Sequence, residues 1–277
     1  MKAEHETIQR LRRAKGWIFD MDGVLYRGAE TLPGVQELFD ELHFRGLPFR
    51  LATNNSMASP AMYVERLAGM GIRADANSIL TSALATRQYV LDSIGGSARL
   101  HVLGMPALTE QLVSMGDFAI VDPDIETPDA VIVGLDRDVT YDKLRKAHRG
   151  IQSGAQFIAT NGDVTLPTED GLVPGCGSLI AALVASTGRH PIVIGKPEVH
   201  LLEAAVADMG IGRQTCVMVG DRLDTDIAAG HSTGMLTVMV LTGVSTREEI
   251  ASTPVKPDMV FTDLPAVLET LLSGEKA

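Results

Sequence analysis

The chain is poor in several things that would mark other classes of protein. Its 277 residues contain two cysteines, Cys176 and Cys216, too few for a disulfide framework, and no Cys-x-x-Cys. Aromatic residues make up only 4%, so the core must be built from Ala, Val, Ile, Leu and the 12 methionines. No apolar stretch reaches the ~20 residues needed to cross a bilayer. No run of Lys and Arg offsets a net charge of 24 − 35 = −11, which excludes a counterion-driven nucleic-acid polymer partner and a basic membrane-binding face. Met1 to Lys15 is charged and has no apolar signal region, so the expected location is cytoplasmic. The seven histidines show no His-Glu-x-x-His spacing, and Gly-x-Ser-x-Gly, P-loop and Gly-x-Gly-x-x-Gly patterns are missing.

What is present is a repeated order of short apolar runs and longer amphipathic stretches. The runs Trp17–Phe19, Pro48–Ala52, Leu100–Leu103, Ala130–Val133, Phe157–Ala159, Ile192–Ile194, Cys216–Val219, Leu236–Leu241 and Met259–Phe261 are apolar but for Arg50, His101 and Thr237. That is the pattern of parallel strands buried on both faces. Helical spacing follows at Val35, Leu38, Phe39 and Leu42, then after Ser59-Pro60, and again at Leu201, Ala204, Ala205 and Met209. The fold class is therefore α/β, with a doubly wound, Rossmann-like parallel sheet. Residues 85–185 have their own βα alternation and are too many for a loop. The predicted organisation is a core made of 1–84 and 186–277, with a smaller α/β domain, 85–185, inserted into it.

In such sheets ligands sit beyond the carboxyl ends of the strands. Four polar clusters follow predicted strands, and all four are expected at one edge of one sheet. Asp20 and Asp22 lie two apart ahead of Gly23. As ordinary turn residues they need no special explanation. As a pair, one can attack an electrophile while the other exchanges a proton with the leaving group. Thr53-Asn54-Asn55-Ser56 suits a helix start, and equally a pocket for an anion. Lys196, between Gly195 and Pro197, is by default a surface lysine, yet its place allows it to neutralise a phosphoryl oxygen or the nucleophile. Asp221, Asp224 and Asp226 crowd three acids into six residues. A solvated face explains such a run, but beside the first cluster it completes a site for Mg²⁺, which favours oxygen ligands.

The order Asp-x-Asp-Gly-Val-Leu, Thr-Asn-Asn, Gly-Lys-Pro and Gly-Asp-Arg-Leu-Asp-Thr-Asp-Ile resembles the haloacid dehalogenase superfamily of phosphatases. More narrowly it resembles the NagD-like and 4-nitrophenyl phosphate phosphatases, whose α/β cap corresponds to the long insertion. The resemblance covers nearly the whole chain. It implies that Asp20 is the nucleophile and Asp22 the general acid, then base. It implies Mg²⁺ on Asp20, on the backbone carbonyl of Asp22 and on Asp221, with Asp226 behind them and no assigned role for Asp224. Thr53, Asn54, Asn55 and Lys196 are implied to hold phosphate. Within the insertion, 159–163 and 171–178 resemble the cap segment that meets substrate, and Asn161, at a strand end, is the first candidate there.

The expected function is thus a Mg²⁺-dependent phosphomonoester hydrolase working on small phosphorylated metabolites through an aspartyl-phosphate. The resemblance is also compatible with a homodimer formed through the cap. Two alternatives use similar residues: a receiver-like phospho-Asp signalling protein, and a phosphotransferase on the same fold. The Asp20/Asp22 spacing and the domain-sized insertion weigh against the receiver. For its chemistry Asp22 needs a carboxyl raised above the usual range near ~3.9.

Overall fold

The computed structural model describes residues 2–168 and 171–273. In chain order its strands are β1 (Gly16–Phe19), β2 (Tyr26–Arg27), β3 (Glu30–Thr31), β4 (Phe49–Thr53), β5 (Ile79–Thr81), β6 (Arg99–Leu103), β7 (Ala119–Ile120), β8 (Ala130–Val133), β9 (Gln156–Ala159), β10 (Thr165–Thr168), β11 (Gly171–Pro174), β12 (Ile192–Val193), β13 (Cys216–Gly220), β14 (Leu236–Val240) and β15 (Met259–Phe261). They form a six-stranded sheet ordered β15-β14-β13-β1-β4-β5, a five-stranded sheet ordered β12-β9-β8-β6-β7, and two hairpins, β2-β3 and β10-β11. The chain divides into two units. One comprises the residues up to Thr53, Pro60–Leu80, and those from Lys196 onward; the other comprises Asn54–Ser59 and Thr81–Gly195. Among the described residues no helix is long and apolar enough to cross a membrane.

The first unit is built on the six-stranded sheet. β1, β13 and β14 are buried along their whole length, as their largely apolar sequences require. The helix Val35–Phe44 buries Val35, Leu38, Phe39 and Leu42, the stripe predicted from spacing. The few aromatics are concentrated here. Trp17 stacks on Phe19 at 5.8 Å between centroids, Phe19 meets Phe39 edge-on at 5.5 Å, and Phe39 stacks on Phe49 at 4.5 Å. Alternation along β1 puts Trp17 and Phe19 on one face, which sets that cluster directly beneath the end of the strand. Truncating Phe39 to Ala would open a cavity costing about 3–5 kcal/mol.

The second unit carries the five-stranded sheet, parallel at every pairing. Helices Ser82–Ser93, Pro106–Val113, Tyr141–Gln152 and Cys176–Thr187 accompany it. Thr81 and Thr140 cap the first and third by accepting a hydrogen bond from Leu84 N and Lys143 N. Its core joins Leu103, Val131, Val133, Ile151, Phe157 and Leu183 with neighbouring small residues. The expected insertion, 85–185, lies inside this unit.

One expectation is corrected. The strand before Lys196 does not belong to the sheet of Asp20. β12 pairs with β9, Ile192 opposite Ile158 and Val193 opposite Ala159, so it closes the second sheet instead. A two-residue apolar run does not say which sheet will take it; the ladder it joins decides. The edge that carries the acids is therefore served by β1, β4, β13 and, as shown next, β14.

Candidate active site

Strand register delivers the first acid. β1 and β13 run parallel with Phe19 opposite Val219, and Asp20 N–H extends the ladder to the Val219 carbonyl at 2.9 Å. The next residues of the two strands, Asp20 on one and Gly220-Asp221 on the other, therefore leave the sheet side by side. Lys196 Nζ lies 2.5 Å from Asp20 Oδ1 and 2.7 Å from Asp226 Oδ1, and donates to the Ala52 carbonyl at 3.1 Å. The Lys196 side chain is 3% exposed and that of Asp226 1%. Asp20, Asp221 and Asp226 each present an oxygen within 4.8 Å of the others.

Asp20 and Asp226 share one ammonium in a nearly dry pocket beside Asp221, and the crowding shifts the carboxyls of Asp20 and Asp221. Burial, with Asp226 and Asp221 adding to it, raises the Asp20 carboxyl despite the pull of Lys196. Burial and then Asp226 push Asp221 up to about 6. Lys196 is held protonated by Asp20 and Asp226, which outweigh its burial. Excess negative charge of this kind calls for a cation.

The donor set fits one. Asp221 Oδ2 accepts from Val244 N–H at 2.7 Å, but Asp221 Oδ1 is buried with no hydrogen-bond partner. An orphaned carboxylate oxygen beside two more carboxylates is suited to a hard divalent ion such as Mg²⁺. Asp226 has a different task. Its Oδ2 accepts from the backbone N–H of Asp221 (3.3 Å) and Arg222 (3.1 Å), while Oδ1 faces Lys196. It holds the turn that aims Asp221 and the ammonium that meets Asp20.

The other predicted residues fall in separate places. Asp22 is exposed and bridges to Tyr26 in the turn after β1. Partial desolvation raises its carboxyl, against the opposing charges of Arg66 and Arg27, which is the direction its predicted role requires. Thr53 ends β4 and is buried. Asp224 pairs with Arg222 at the surface, at 3.1 and 2.8 Å, and that guanidinium lowers its carboxyl. Asn54, Asn55 and Asn161 belong to the second unit. There Asn161 Nδ2 donates to the Asn54 carbonyl at 2.9 Å, and Asn55 Oδ1 accepts from Met57 N–H at 2.8 Å.

Comparison with known proteins shows the family. Residues 17–117 match the haloacid dehalogenase-like hydrolase family, and residues 193–267 match the HAD-hydrolase-like family. An acid sugar phosphatase of Staphylococcus saprophyticus is 38% identical over 94% of this chain and 99% of its own length. Among solved structures, 4-nitrophenylphosphatase from Thermotoga maritima has a TM-score of 0.87 at 35% identity, over 95% of this chain and 99% of that one. NagD from E. coli K-12 has a TM-score of 0.83 at 35% identity, over 91% of this chain and 97% of that one. The chain is a haloacid dehalogenase-like hydrolase. Within that family it groups with phosphatases, and it is an enzyme of that class.

Sequence reading missed one wall of this hydrolase's site, the segment after β14. Thr242 Oγ1 donates to the Gly23 carbonyl at 2.6 Å, fixing the turn behind Asp22. Val244 N–H holds Asp221, and Ser245 N–H donates to the Asp221 carbonyl at 3.1 Å. A Cβ on Gly243 would overlap the Asp221 carboxylate, and one on Gly23 would come within 2.5 Å of Asp221 Oδ2. The available signal was positional: Thr-Gly-Val-Ser follows a predicted strand, as the acids do. Backbone donors and glycines carry no charge to draw attention to them.

Proposed function

We propose that this phosphatase hydrolyses phosphomonoesters of small metabolites through an aspartyl-phosphate on Asp20, with Mg²⁺ as its cofactor. The observation that carries the reading is the buried contact of Lys196 with Asp20 beside the unpartnered oxygen of Asp221. Asp20, Asp221 and the backbone carbonyl of Asp22 would hold Mg²⁺. There it would supply positive charge to offset the repulsion between a carboxylate and a phosphate dianion.

The chain's own residues divide the work. Asp20 Oδ1 is engaged by Lys196, so Oδ2 is the oxygen that attacks phosphorus. The bond from phosphorus to the ester oxygen breaks, and the protonated Asp22 gives its proton to that leaving oxygen. Asp22, now a carboxylate, takes a proton from a water molecule whose oxygen attacks phosphorus. The Asp20–phosphorus bond breaks, and inorganic phosphate leaves. Splitting the reaction this way replaces one difficult displacement with two easier ones. Lys196 draws Asp20 toward its ionised form against burial, and Thr53 with the peptide groups after it supplies neutral donors to phosphate oxygens. Substrate choice is assigned to the second unit. Sugar phosphates are the first class to try, because the Staphylococcus saprophyticus relative is an acid sugar phosphatase.

The test is release of inorganic phosphate from 4-nitrophenyl phosphate and a panel of sugar phosphates, with and without Mg²⁺. Asp20→Asn is expected to lower kcat by roughly 10⁴-fold or more, the scale seen when a nucleophile is removed. Undiminished turnover in that variant rules out the aspartyl-phosphate route. Product analysis with added alcohols identifies any phosphotransfer.

A further inference from the structure

Directly after the turn that carries Asp22, the chain makes a very small sheet. β2 and β3 pair only Tyr26 with Thr31 and Arg27 with Glu30. A hairpin this short has too few ladder bonds to keep its own shape, so its stiffness depends on what it is tied to. Yet the turn of Asp22 leans on it. Gly23 N–H, which belongs to the peptide joining Asp22 to Gly23, donates to the Tyr26 carbonyl at 2.8 Å. The next peptide is pinned from elsewhere, where the Gly23 carbonyl accepts from Thr242 Oγ1.

The hairpin is tied down on both sides. Helix Pro60–Gly69 buries Tyr63 and Leu67. Arg66 and Met70 complete the i, i+3, i+4, i+7 set with them, so all four share one side of the helical path. Arg66 Nη2 donates to the Gly28 carbonyl, at the hairpin tip, at 2.9 Å. Its guanidinium carbon stands 4.4 Å from the centre of the Tyr26 ring, an attractive distance for a cation over an aromatic face. Tyr26 is only 2% exposed, so that ring is itself fixed by packing. Thr31 Oγ1 donates to the Met70 carbonyl at 2.6 Å. Arg27 reaches the other way and donates to the carbonyl of Thr242, the residue whose hydroxyl holds Gly23. Every residue in this arrangement belongs to the first unit. An exposed arginine on a helix reads by default as solvated surface, but both of these Arg66 contacts fall on one hairpin.

We propose that Arg66 is a positioning residue: by gripping Tyr26 and Gly28 it braces the β2-β3 hairpin and so keeps Asp22 where it can protonate the leaving oxygen. This deepens the proposed function and rests on the proton-transfer role of Asp22. The consequence is specific to the leaving group. A basic leaving oxygen needs the proton, whereas 4-nitrophenolate, a much weaker base, departs nearly without it. A displaced Asp22 therefore costs more with the first kind of ester than with the second.

The experiment compares kcat/KM for phenyl phosphate and 4-nitrophenyl phosphate, two esters of similar shape whose leaving groups differ in basicity. The variants are Arg66→Met, Arg66→Lys, Thr31→Val and Asp22→Asn, with thermal melting alongside. Asp22→Asn is expected to separate the two esters most. Arg66→Met is expected to lower kcat/KM for phenyl phosphate by roughly tenfold, a fraction of what a well-placed general acid contributes, and for 4-nitrophenyl phosphate by no more than about threefold. Arg66→Lys, which keeps a cation and a donor for Tyr26 and Gly28, is expected to recover part of the loss. Thr31→Val changes no charge; it is expected to shift the ratio of the two esters in the same direction by a smaller factor, and it stands in if the Arg66 variants do not fold. Equal losses for both esters in Arg66→Met, beside an Asp22→Asn variant that separates them, overturn the proposal and leave a purely structural role. A shift confined to the Arg66 variants and missing from Thr31→Val also overturns it, because charge near Asp22 rather than the hairpin would then carry the effect. An Asp22→Asn variant that loses both esters equally overturns the proton-transfer role itself, and this inference with it.

Discussion

The two units use the same architecture for opposite ends. Each is a parallel sheet whose strand ends offer polar groups. In the first, β1 and β13 release Asp20 and Asp221 into a buried pocket where one lysine faces three acids and an oxygen has no partner. In the second, β8 and β9 end at Gly134 and Thr160-Asn161, and the amide of Asn161 is fully engaged with the chain's own backbone. An α/β topology thus provides a position, and only unsatisfied charge at that position makes a reaction centre. The satisfied version becomes structure.

Several changes break or sharpen this contrast. The largest effect is expected from Lys196→Met. It leaves Asp20 and Asp226 buried without their counter-charge, costing about 3–5 kcal/mol of stability by denaturant titration. Turnover should fall with it. A variant as stable as the parent would show that the ion pairs at Lys196 are not what holds the acids together. Next comes Gly243→Ala, which forces the Asp221 carboxylate to move. Mg²⁺ affinity and kcat/KM are expected to drop about 10–100-fold, the usual result of disturbing the support of a metal ligand. Gly96→Ala in the second unit meets open space and is expected to leave both unchanged.

A third test uses pH. Asp20 is pushed up to about 7 and Asp221 to about 6, from an ordinary value of 3.8, with burial the main cause in both. A carboxyl raised on folding stabilises the fold when protonated, so the metal-free site loses stability as pH rises through this window and regains it below. Mg²⁺ competes with the same protons. Its stabilising effect in thermal melts is therefore expected to be clear at about pH 7.5 and much reduced at about pH 5.5. Equal shifts at both values would place the cation elsewhere. The smallest effect is expected from Arg145→Gln. It removes an exposed pairing with Asp124 and Asp142 in the second unit and should leave kcat and KM unaltered.

The parts of this enzyme that were legible in its residues are those encoded locally. Met259–Phe261 becomes β15 at the predicted bounds, and Val35, Leu38, Phe39 and Leu42 face the core as their spacing requires. The hairpin β10-β11 was not legible, because Thr-Leu-Pro-Thr carries neither an apolar run nor a clean alternation. Asp20 and Asp221 stood out because charged residues directly after buried strands are costly without a purpose. Val244, Gly243 and Thr242 did not, since a backbone N–H, a missing side chain and a single hydroxyl look alike in any loop.

Sequence alone determined the α/β class, the longer apolar strands and the acids that stand after them, since each follows from short-range periodicity or from the charge of a side chain. Tertiary structure alone decided that β12 joins the second sheet, that Asp226 spends its oxygens on Lys196 and the Asp221 turn, and that Asn161 holds a backbone carbonyl. The reason is physical. A hydrogen bond or ion pair between residues a hundred positions apart depends on where the sheets bring them, and that is set by packing of the whole chain.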